Sequence, residues 1–311
     1  MPNSYATSNQ STNQVSGHAD RPDGLSVCNA FTIDVEDYFQ VSAFERQVSR
    51  KRWDQYECRV ETNTDRMLSL MDSCDIRGTF FVLGWVAHRF PKLVRRIARA
   101  GHEIASHGYW HQLVYDQTPE QFATDINDAQ EAIVSACGVK PTAYRAPSFS
   151  ITKKSLWALD ILIEQGFTTD SSIFPIAGHD RYGVPDAKKE IHDRVADRGK
   201  LLEFPPSVAK VAGVTVPIGG GYFRLFPTAM TTAAIRRIQS SGRPAMFYIH
   251  PWEIDPDQPR IKGAGTKSRF RHYVNLKHTE RKLIGLVQSH RFGTMATSIA
   301  SANQAPLRKA G

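Results

Sequence analysis

Short apolar runs alternate with amphipathic segments along most of the chain. The apolar runs are rich in β-branched and aromatic residues, as in 27–33, 78–84 and 244–249. The segments between them carry apolar residues three or four positions apart, and the one that opens at Thr118 stops at Gly138. Such apolar runs predict strands, whereas the helical spacing predicts helices. About seven alternations predict an α/β fold whose parallel sheet is covered by helices and is either open or closed into a barrel.

Proline and glycine interrupt this pattern in the second half of the chain. Residues 175–200 mix proline, glycine and charges and are predicted to form a long loop. Residues 208–217 predict a hairpin, and the glycine-rich run 219–224 predicts a flexible loop without the Gly-Lys-Ser/Thr ending of a phosphate site. Helices are expected from about residue 63 to 74 and from 152 to 165.

The composition is typical of a soluble globular protein. The 311 residues are 41% hydrophobic and 23% charged, and no apolar run approaches the roughly 18 residues of a membrane span. Residues 1–26 are rich in Ser, Asn, Thr and Gln and lack the basic and apolar regions of a secretory signal, so we expect a disordered tail. The four cysteines are scattered and are interpreted as reduced thiols. We therefore expect a cytoplasmic protein, free or at the inner face of the cytoplasmic membrane.

The positive charge is concentrated in one segment. The chain carries a net charge of +8, and residues 260–282 hold eight Lys or Arg and one acid, Glu280. A solvated loop and helix face is the simplest interpretation of this segment. The alternative is contact with an anionic membrane surface or an anionic glycan. No nucleic-acid-binding motif accompanies the charge, so we expect no nucleic acid partner.

Two histidines stand four positions apart in the segment SHGYWH at 106–111. On a helical or turn-like backbone, positions i and i+4 lie on one face, so His107 and His111 can reach one ion. Neutral imidazole suits Zn²⁺ and neighbouring divalent metals. The spacing alone is weak evidence, because the chain contains 11 histidines. It gains weight if a carboxylate and a base lie nearby.

Other polar residues follow the predicted strands directly. In α/β folds the carboxyl ends of parallel strands meet at one edge, where sites are built. The residues at these positions, besides the two histidines, are Asp34, Glu36, Asp37, Arg145, Asp170 and His250. Several strands thus supply groups of different chemistry to one edge, which is the distribution that a catalytic site needs.

Four motifs in this arrangement resemble, in order, those of the polysaccharide deacetylases (the NodB-homology domain, carbohydrate esterase family 4). They are Thr32-Ile33-Asp34, Ser106-His107 with His111, Arg145-Ala146-Pro147 and Ile249-His250. The resemblance covers about residues 28–255, most of the chain expected to be ordered. The sequences of residues 34–39 and 170–175, together with the basic C-terminal extension, resemble those of the subgroup associated with exosortase/PEP-CTERM exopolysaccharide loci.

The resemblance implies a distorted (β/α)7 barrel and the removal of N-acetyl groups from amino sugars. The chain is accordingly divided into a tail at 1–26, the deacetylase barrel at 27–255, a basic extension packed on the barrel at 256–300 and a tail at 301–311. The implied substrate is an amino-sugar polysaccharide or its lipid-linked precursor in exopolysaccharide biosynthesis. The oligomeric state is not predicted.

The expected roles follow the chemistry of amide hydrolysis. A divalent metal, preferably Zn²⁺ with Co²⁺ or Ni²⁺ as alternatives, activates water when three protein ligands leave positions open. His107 and His111 are expected as two ligands, and a carboxylate as the third. Asp34 is the expected general base, Arg145 its partner, and His250 the acid that protonates the leaving amine.

Two positions depart from the commoner family pattern. That pattern has adjacent aspartates, base then ligand, but Val35 follows Asp34 here. We therefore expect Glu36 as the carboxylate ligand, with Asp37 as the alternative. The aspartate that tunes the acid histidine has Ile173 as its counterpart, so Asp170 is a candidate for that role.

The predicted substrate contacts are Tyr222, Trp252, Phe149 and Asp170. Aromatic residues at strand ends stack on sugars, although they serve equally often in packing. Two other functions stay open at this level. One is a small-molecule amidohydrolase, allantoinase-like and possibly metal-independent, and the other is an inactive glycan-binding homologue with an altered carboxylate motif.

Overall fold

The structure is a computed structural model that describes residues 27–179 and 181–304. The predicted tail at 1–26 lies outside these residues, as does 305–311. The strands are β1 Asn29–Val35, β2 Thr79–Val82, β3 Glu103–Ser106, β4 Ala143–Tyr144, β5 Thr169–Asp170, β6 His192–Ala196, β7 Gly199–Glu203, β8 Val208–Val211, β9 Val214–Pro217, β10 Met246–Ile249 and β11 Phe292–Gly293.

The helices lie mostly between the strands. The α-helices are α1 Val60–Ser73, α2 Gly84–Arg89, α3 Pro91–Arg99, α4 Pro119–Cys137, α5 Ala158–Glu164, α6 Gly220–Leu225, α7 Thr228–Gln239, α8 Thr266–Tyr273, α9 Leu276–Ser289 and α10 Met295–Gln304. Shorter 3-10 helices cover Ser42–Phe44, Arg50–Gln55, Val114–Asp116, Pro147–Phe149 and Pro251–Ile254. Within the described part of the chain, no helix is both long and apolar enough to cross a bilayer.

Nine strands form one sheet in the order β10-β1-β2-β3-β4-β5-β7-β6, and β11 also pairs with β1. All neighbours are parallel except β6 and β7, which form an antiparallel pair. The fold is therefore an α/β fold with a largely parallel sheet, as the sequence predicts. Because the strands are parallel, the carboxyl ends of β1, β3, β4, β5 and β10 meet at one edge.

The side-chain alternation along β1 explains how the sheet is buried on both faces. Phe31, Ile33 and Val35 belong to the large core that includes the helices, whereas Ala30 belongs to a smaller cluster with Phe81. Successive side chains in a strand point to opposite faces. Asp34 lies on the same face of β1 as Ala30, and it thus ends up at the rim of the smaller, inner cluster.

The ring of strands is not closed by pairing between β10 and β7 in the described residues. The segment around Ser207 and Gly219 fills the gap instead. The Oγ of Ser207 accepts a hydrogen bond from the backbone N–H of Met246 at 2.8 Å, and Gly219 forms a parallel bridge with Tyr248. The barrel is therefore distorted at this position.

Four local predictions need correction. The 219–224 segment is not a flexible loop, because Gly220–Leu225 forms α6 against the ring of Tyr248. A Cβ on Gly219 would lie 2.4 Å from Tyr248, so close packing explains the glycine. The predicted loop at 175–200 contains β6, α5 starts six residues later than expected, and α1 starts at Val60. The predicted hairpin is present as β8 and β9.

Candidate active site

Asp34 and Arg145 form the innermost pair of the site. Nη1 of Arg145 donates to Oδ1 of Asp34 at 2.6 Å, and the side chains of Arg145 and Asp34 are 0% and 3% exposed. The same nitrogen donates to Oγ1 of Thr32 at 2.9 Å, and Nη2 donates to Oγ of Ser171 at 3.1 Å. The guanidinium also lies over the ring of Phe81 at 4.0 Å. Arg145 is therefore fixed by several contacts. It binds only Oδ1 of Asp34, and Oδ2 faces Nε2 of His250 at 3.8 Å.

Glu36, His107 and His111 converge next to this pair. One potential ligand atom from each lies within 4.8 Å of the other two, and all three residues are buried. His107 leaves β3 at its carboxyl end, and Glu36 follows β1 directly. His111 has a φ of 50°, in the left-handed region that non-glycine residues rarely occupy, and this backbone turn aims its ring back toward His107.

The three residues have the chemistry of metal ligands. Nδ1 of His107 lies 2.8 Å from the carbonyl oxygen of Arg145, which can only accept, so the lone pair of Nε2 remains available. Burial lowers the pKa of His107 to about 4, which keeps the imidazole neutral at physiological pH. Neutral imidazole is the form that binds metals.

The carboxylate of Glu36 supplies a direct test of this fit. Its Oε2 is buried and lies 2.6 Å from Nε2 of His111, with no other polar partner among the described residues. Two lone-pair atoms approach so closely only with a proton or a cation between them. Burial opposes the charge of Glu36, but His111, His250 and His107 together lower its pKa well below the usual range. The donor set therefore fits a divalent cation such as Zn²⁺.

Asp37, the alternative carboxylate, performs a different task. Its Oδ2 accepts from the backbone N–H groups of Arg59 at 2.6 Å and Val60 at 2.8 Å, and its Oδ1 accepts from that of Tyr38 at 2.8 Å. The first N–H groups of a helix lack intrahelical partners, so Asp37 caps α1 from a distant segment. Glu36, not Asp37, is the carboxylate that faces the histidines.

His250 approaches from β10 on the other side. Its Nε2 lies 3.8 Å from Oδ2 of Asp34 and 3.5 Å from Oε1 of Glu36. Its Nδ1 lies 2.7 Å from Oε1 of Glu253. Burial lowers the pKa of His250, but the charges of Glu36, Glu253 and Asp34 outweigh burial and raise the pKa to about 9. The imidazole therefore carries a proton on each nitrogen at neutral pH.

The structure does not place Asp170 near His250 or the cavity. Asp170 is 0% exposed, and its carboxylate accepts from the hydroxyl of Ser172 at 2.6 Å and lies against that of Glu203. The prediction of Asp170 as a substrate contact or as the partner of His250 is therefore wrong. The residue that meets His250 is Glu253, which sequence reasoning missed. The available signal was an acid three positions after His250 with proline between them, a capping-box spacing.

Trp252 is only partly placed as predicted. It lines the cavity, but it is 4% exposed, and its Nε1 donates to Oε1 of Glu36 at 3.1 Å. Its ring stacks with the imidazoles of His250 and His272, with centroids 5.1 and 4.1 Å apart. Little of the indole remains for a sugar, so Trp252 supports the site more than it lines a sugar-binding wall.

A cavity of about 370 Å³ opens onto these groups. It is bounded by residues from β1, the turns after β3, β4 and β10, α6 and α8, including the predicted contacts Phe149 and Tyr222. Its aromatic lining also includes Tyr182 and Tyr248, and Phe149 packs edge-on against Tyr248. A mostly apolar pocket with a few convergent polar groups at one end is typical of a small-molecule or sugar site.

Residues 52–166 match the family model described as "Polysaccharide deacetylase". This segment includes both histidines and Arg145. The chain therefore contains a segment of the polysaccharide deacetylase type. Residues 171–300 match a second model, described as "Domain of unknown function (DUF3473)", and this segment includes His250 and Glu253. The exosortase-associated subgroup stays a prediction.

Curated deacetylases are similar to part of the chain. A peptidoglycan-N-acetylglucosamine deacetylase of Bacillus cereus is 26% identical over 128 residues, which cover 37% of this chain and 46% of that protein. The peptidoglycan-N-acetylmuramic acid deacetylase PdaC of Bacillus subtilis is 25% identical over 159 residues, which cover 45% of this chain and 34% of that protein. The chain thus spans less than half the length of either relative.

A solved structure matches nearly the whole chain. It is assigned as a polysaccharide deacetylase from Mycobacterium smegmatis and covers 94% of this chain and 96% of its own, with a TM-score of 0.58 and 20% identity. At this identity the match shows a shared fold. It extends over both matched segments, so the 171–300 segment is part of the same architecture.

Proposed function

We propose that this protein is a metal-dependent hydrolase that removes N-acetyl groups from the amino sugars of a polysaccharide or its lipid-linked precursor. The observation that carries the proposal is the convergence of Glu36, His107 and His111 beside the Asp34–Arg145 pair and His250 in one cavity. The names of the Bacillus relatives supply the substrate class, an N-acetylated amino sugar.

The residues present divide the reaction between them. A bound divalent metal would be held by Glu36, His107 and His111 and would polarise the acetyl carbonyl and lower the pKa of the attacking water. Arg145 occupies Oδ1 of Asp34, so Oδ2, which faces the cavity, receives the proton of that water.

On the opposite side, Nε2 of His250 gives a proton to the amine nitrogen as the carbon–nitrogen bond breaks. The raised pKa of His250 keeps that proton in place until it is transferred. The aromatic residues around the cavity limit the access of solvent and hold the sugar ring.

Three finer statements belong to the same proposal. We assign Zn²⁺ as the preferred metal because two imidazoles and one carboxylate are a donor set common in catalytic zinc sites. We assign the role to exopolysaccharide biosynthesis because 34–39 and 170–175 resemble the exosortase-associated subgroup. We place the enzyme in the cytoplasm or at the inner face of the cytoplasmic membrane.

The test is acetate release from N-acetylated chitooligosaccharide by the purified protein. We expect release that a chelator abolishes and that Zn²⁺, Co²⁺ or Ni²⁺ restores, with Asp34→Asn as the metal-retaining inactive control. Release that survives complete metal removal contradicts the proposal and favours the small-molecule amidohydrolase, for which allantoin is the substrate to try. Glycan binding without any acetate release would indicate an inactive binding homologue.

A further inference from the structure

The side chain of Arg224 connects the His250 side of the site to the C-terminal extension. Arg224 lies on α6 and is 2% exposed. Its Nε donates to Oε2 of Glu253 at 2.5 Å. Its Nη1 donates to the carbonyl oxygens of His272 at 2.7 Å and Val274 at 2.9 Å, and its Nη2 donates to that of Arg271 at 2.9 Å.

These three carbonyls belong to the end of α8 and the turn that follows it. The last carbonyls of a helix have no intrahelical partner, and a cation is favourable there. Arg224 therefore satisfies the end of α8 and the carboxylate of Glu253 with one rigid guanidinium. The position of Glu253 is tied in this way to residues 271–274 of the extension.

Glu253 in turn holds His250 at two points. Its Oε1 accepts from the backbone N–H of His250 at 3.1 Å and lies 2.7 Å from Nδ1 of the ring. Because a carboxylate can only accept, Nδ1 carries a hydrogen, and Nε2 is the ring atom that faces Asp34 and Glu36. Glu253 is 0% exposed and does not border the cavity, so it acts on a substrate only through His250.

We propose that Glu253 and Arg224 are positioning residues for His250, and that Arg224 makes α8 of the extension a working part of the active site. The proposal rests on the proposed function. In amide hydrolysis the Nε2 proton of His250 moves to the amine nitrogen, which also receives the electron pair of the broken carbon–nitrogen bond. An aryl ester differs, because its phenolate leaves without needing a proton. Loss of correct positioning therefore slows amide hydrolysis and spares an activated ester.

The experiment compares kcat and KM for N-acetylated chitooligosaccharide and for 4-nitrophenyl acetate, with zinc-loaded wild type and variants. In Glu253→Gln we expect the amide kcat to fall about 100-fold, the size of a general-acid contribution, while the ester kcat and both KM values stay within about twofold. A neutral amide cannot stabilise the imidazolium as a carboxylate does. Arg224→Lys should show a smaller loss in the same direction, because a single ammonium cannot bind Glu253 and three carbonyls together.

Arg66→Gln is the matched control. Arg66 also binds the extension, through an ion pair with Glu280 of α9 and a bond to the carbonyl oxygen of Ile254, without touching His250 or Glu253. We expect it to turn over both substrates as the wild type does.

Equal losses on the amide and the ester would overturn the proposal, because they would indicate general damage to the fold or the metal site. Unchanged amide turnover in Glu253→Gln would overturn it too. If circular dichroism shows Glu253→Gln to be unfolded, the amide-to-ester ratio of Arg224→Lys decides by the same criterion. Failure of the proposed function is distinguishable, since it appears in the wild type itself as no acetate release from N-acetylated glycan.

Discussion

The indole nitrogen of Trp252 donates a hydrogen bond to Oε1 of Glu36 at 3.1 Å, across 216 positions of sequence. The bond occupies one oxygen of the carboxylate and turns the other, Oε2, toward His111. Partners behind the ligands commonly fix the orientation of a metal-binding side chain. The turn after β10 therefore helps to orient Glu36, the candidate metal ligand that follows β1.

Variants of Asp34 and Glu36 should distinguish the general base from the metal ligand. We expect Asp34→Asn to lower kcat for acetate release by about 10²- to 10⁴-fold, with the zinc content unchanged, because only the proton acceptor is lost. Glu36→Gln should lose zinc as well as activity. Zinc per protein chain, measured by mass spectrometry, and acetate release decide between the roles.

The matched variant is Asp37→Asn. It should keep zinc but lower the free energy of unfolding by about 1–3 kcal/mol, because an amide nitrogen replaces one of the two oxygens that accept from backbone N–H groups. Zinc loss in Asp37→Asn with zinc retained in Glu36→Gln would show that the two carboxylates have been assigned in the wrong order.

Removal of one histidine should empty the metal site. We expect His107→Ala to bind zinc at least 100-fold more weakly and to show no chelator-sensitive acetate release, since one of three protein ligands is gone. His88→Ala, at an exposed position on α2, is the control and should bind zinc as the wild type does. Equal affinity in both variants, measured by competition with a chromogenic chelator, would rule out His107 as a ligand.

The buried pair Asp170 and Glu203 should make stability depend on pH. Burial raises the pKa of both carboxyl groups, and the charge of Asp170 raises the pKa of Glu203 further. The charge of Arg194 lowers the pKa of Glu203 but does not offset these effects. The folded state therefore retains a proton that the unfolded chain releases.

The direction of the pH effect on stability follows from this difference in proton binding between the folded and unfolded states. The stabilisation is fully present below the unfolded pKa of Glu203, near 4.5, and is lost as the pH rises through the higher folded value. Compared with Glu203→Gln, the wild type should lose up to about 1.4 kcal/mol of unfolding free energy per pH unit within that window. Urea denaturation of both proteins at several pH values measures this difference. The same pH dependence of the unfolding free energy in both proteins would show that the pKa of Glu203 is not raised by folding.

The basic extension should contribute to the binding of a polymer. Lys267, Arg269 and Arg271 lie on α8, and the first and last of them border the cavity. Neutralising all three to Gln should raise KM for an anionic glycan by up to about fivefold per charge, the effect of roughly 1 kcal/mol each. KM for a short neutral substrate should not change.

The control for this prediction is a pair of exposed cations on α3, Lys92→Gln with Arg99→Gln. The pair should leave both KM values as they are. An unchanged KM for the polymer in the α8 variant would show that these cations of the extension do not contribute to substrate binding.

Much of the fold follows from the sequence, because the local hydrophobic and capping patterns agree with the helices and strands of the structure. The capping box at Thr118 and the left-handed Gly138 delimit α4 as expected. The failures have tertiary causes. Gly219 and Gly220 suggest a flexible loop, but the reason for the glycines is the close approach of Tyr248, which no local pattern reveals. α1 begins at Val60, because its cap, Asp37, comes from a distant segment.

The part of the site that consists of polar residues at strand ends was predictable from the sequence. His107, Asp34, Arg145 and His250 meet because parallel strands bring their carboxyl ends together. The sequence favoured Glu36 and kept Asp37 as the alternative, because the choice depends on what each carboxylate meets in space. The error at Asp170 has the same origin, since a buried carboxyl next to Glu203 looks no different in sequence from one that faces a cavity.

The central position of β1 limits how this protein can be rearranged. β1 lies between β10 and β2 and pairs also with β11. The strands β10 and β11, from the end of the described chain, thus pair with a strand from its start, and Asp34 and Glu36 lie close to His250, more than 200 positions away. Neither matched segment, 52–166 or 171–300, contains β1. Neither one is therefore a unit that recombination could transplant with its chemistry intact, and a split-protein design would have to keep residues 27–36 together with the strands on both sides.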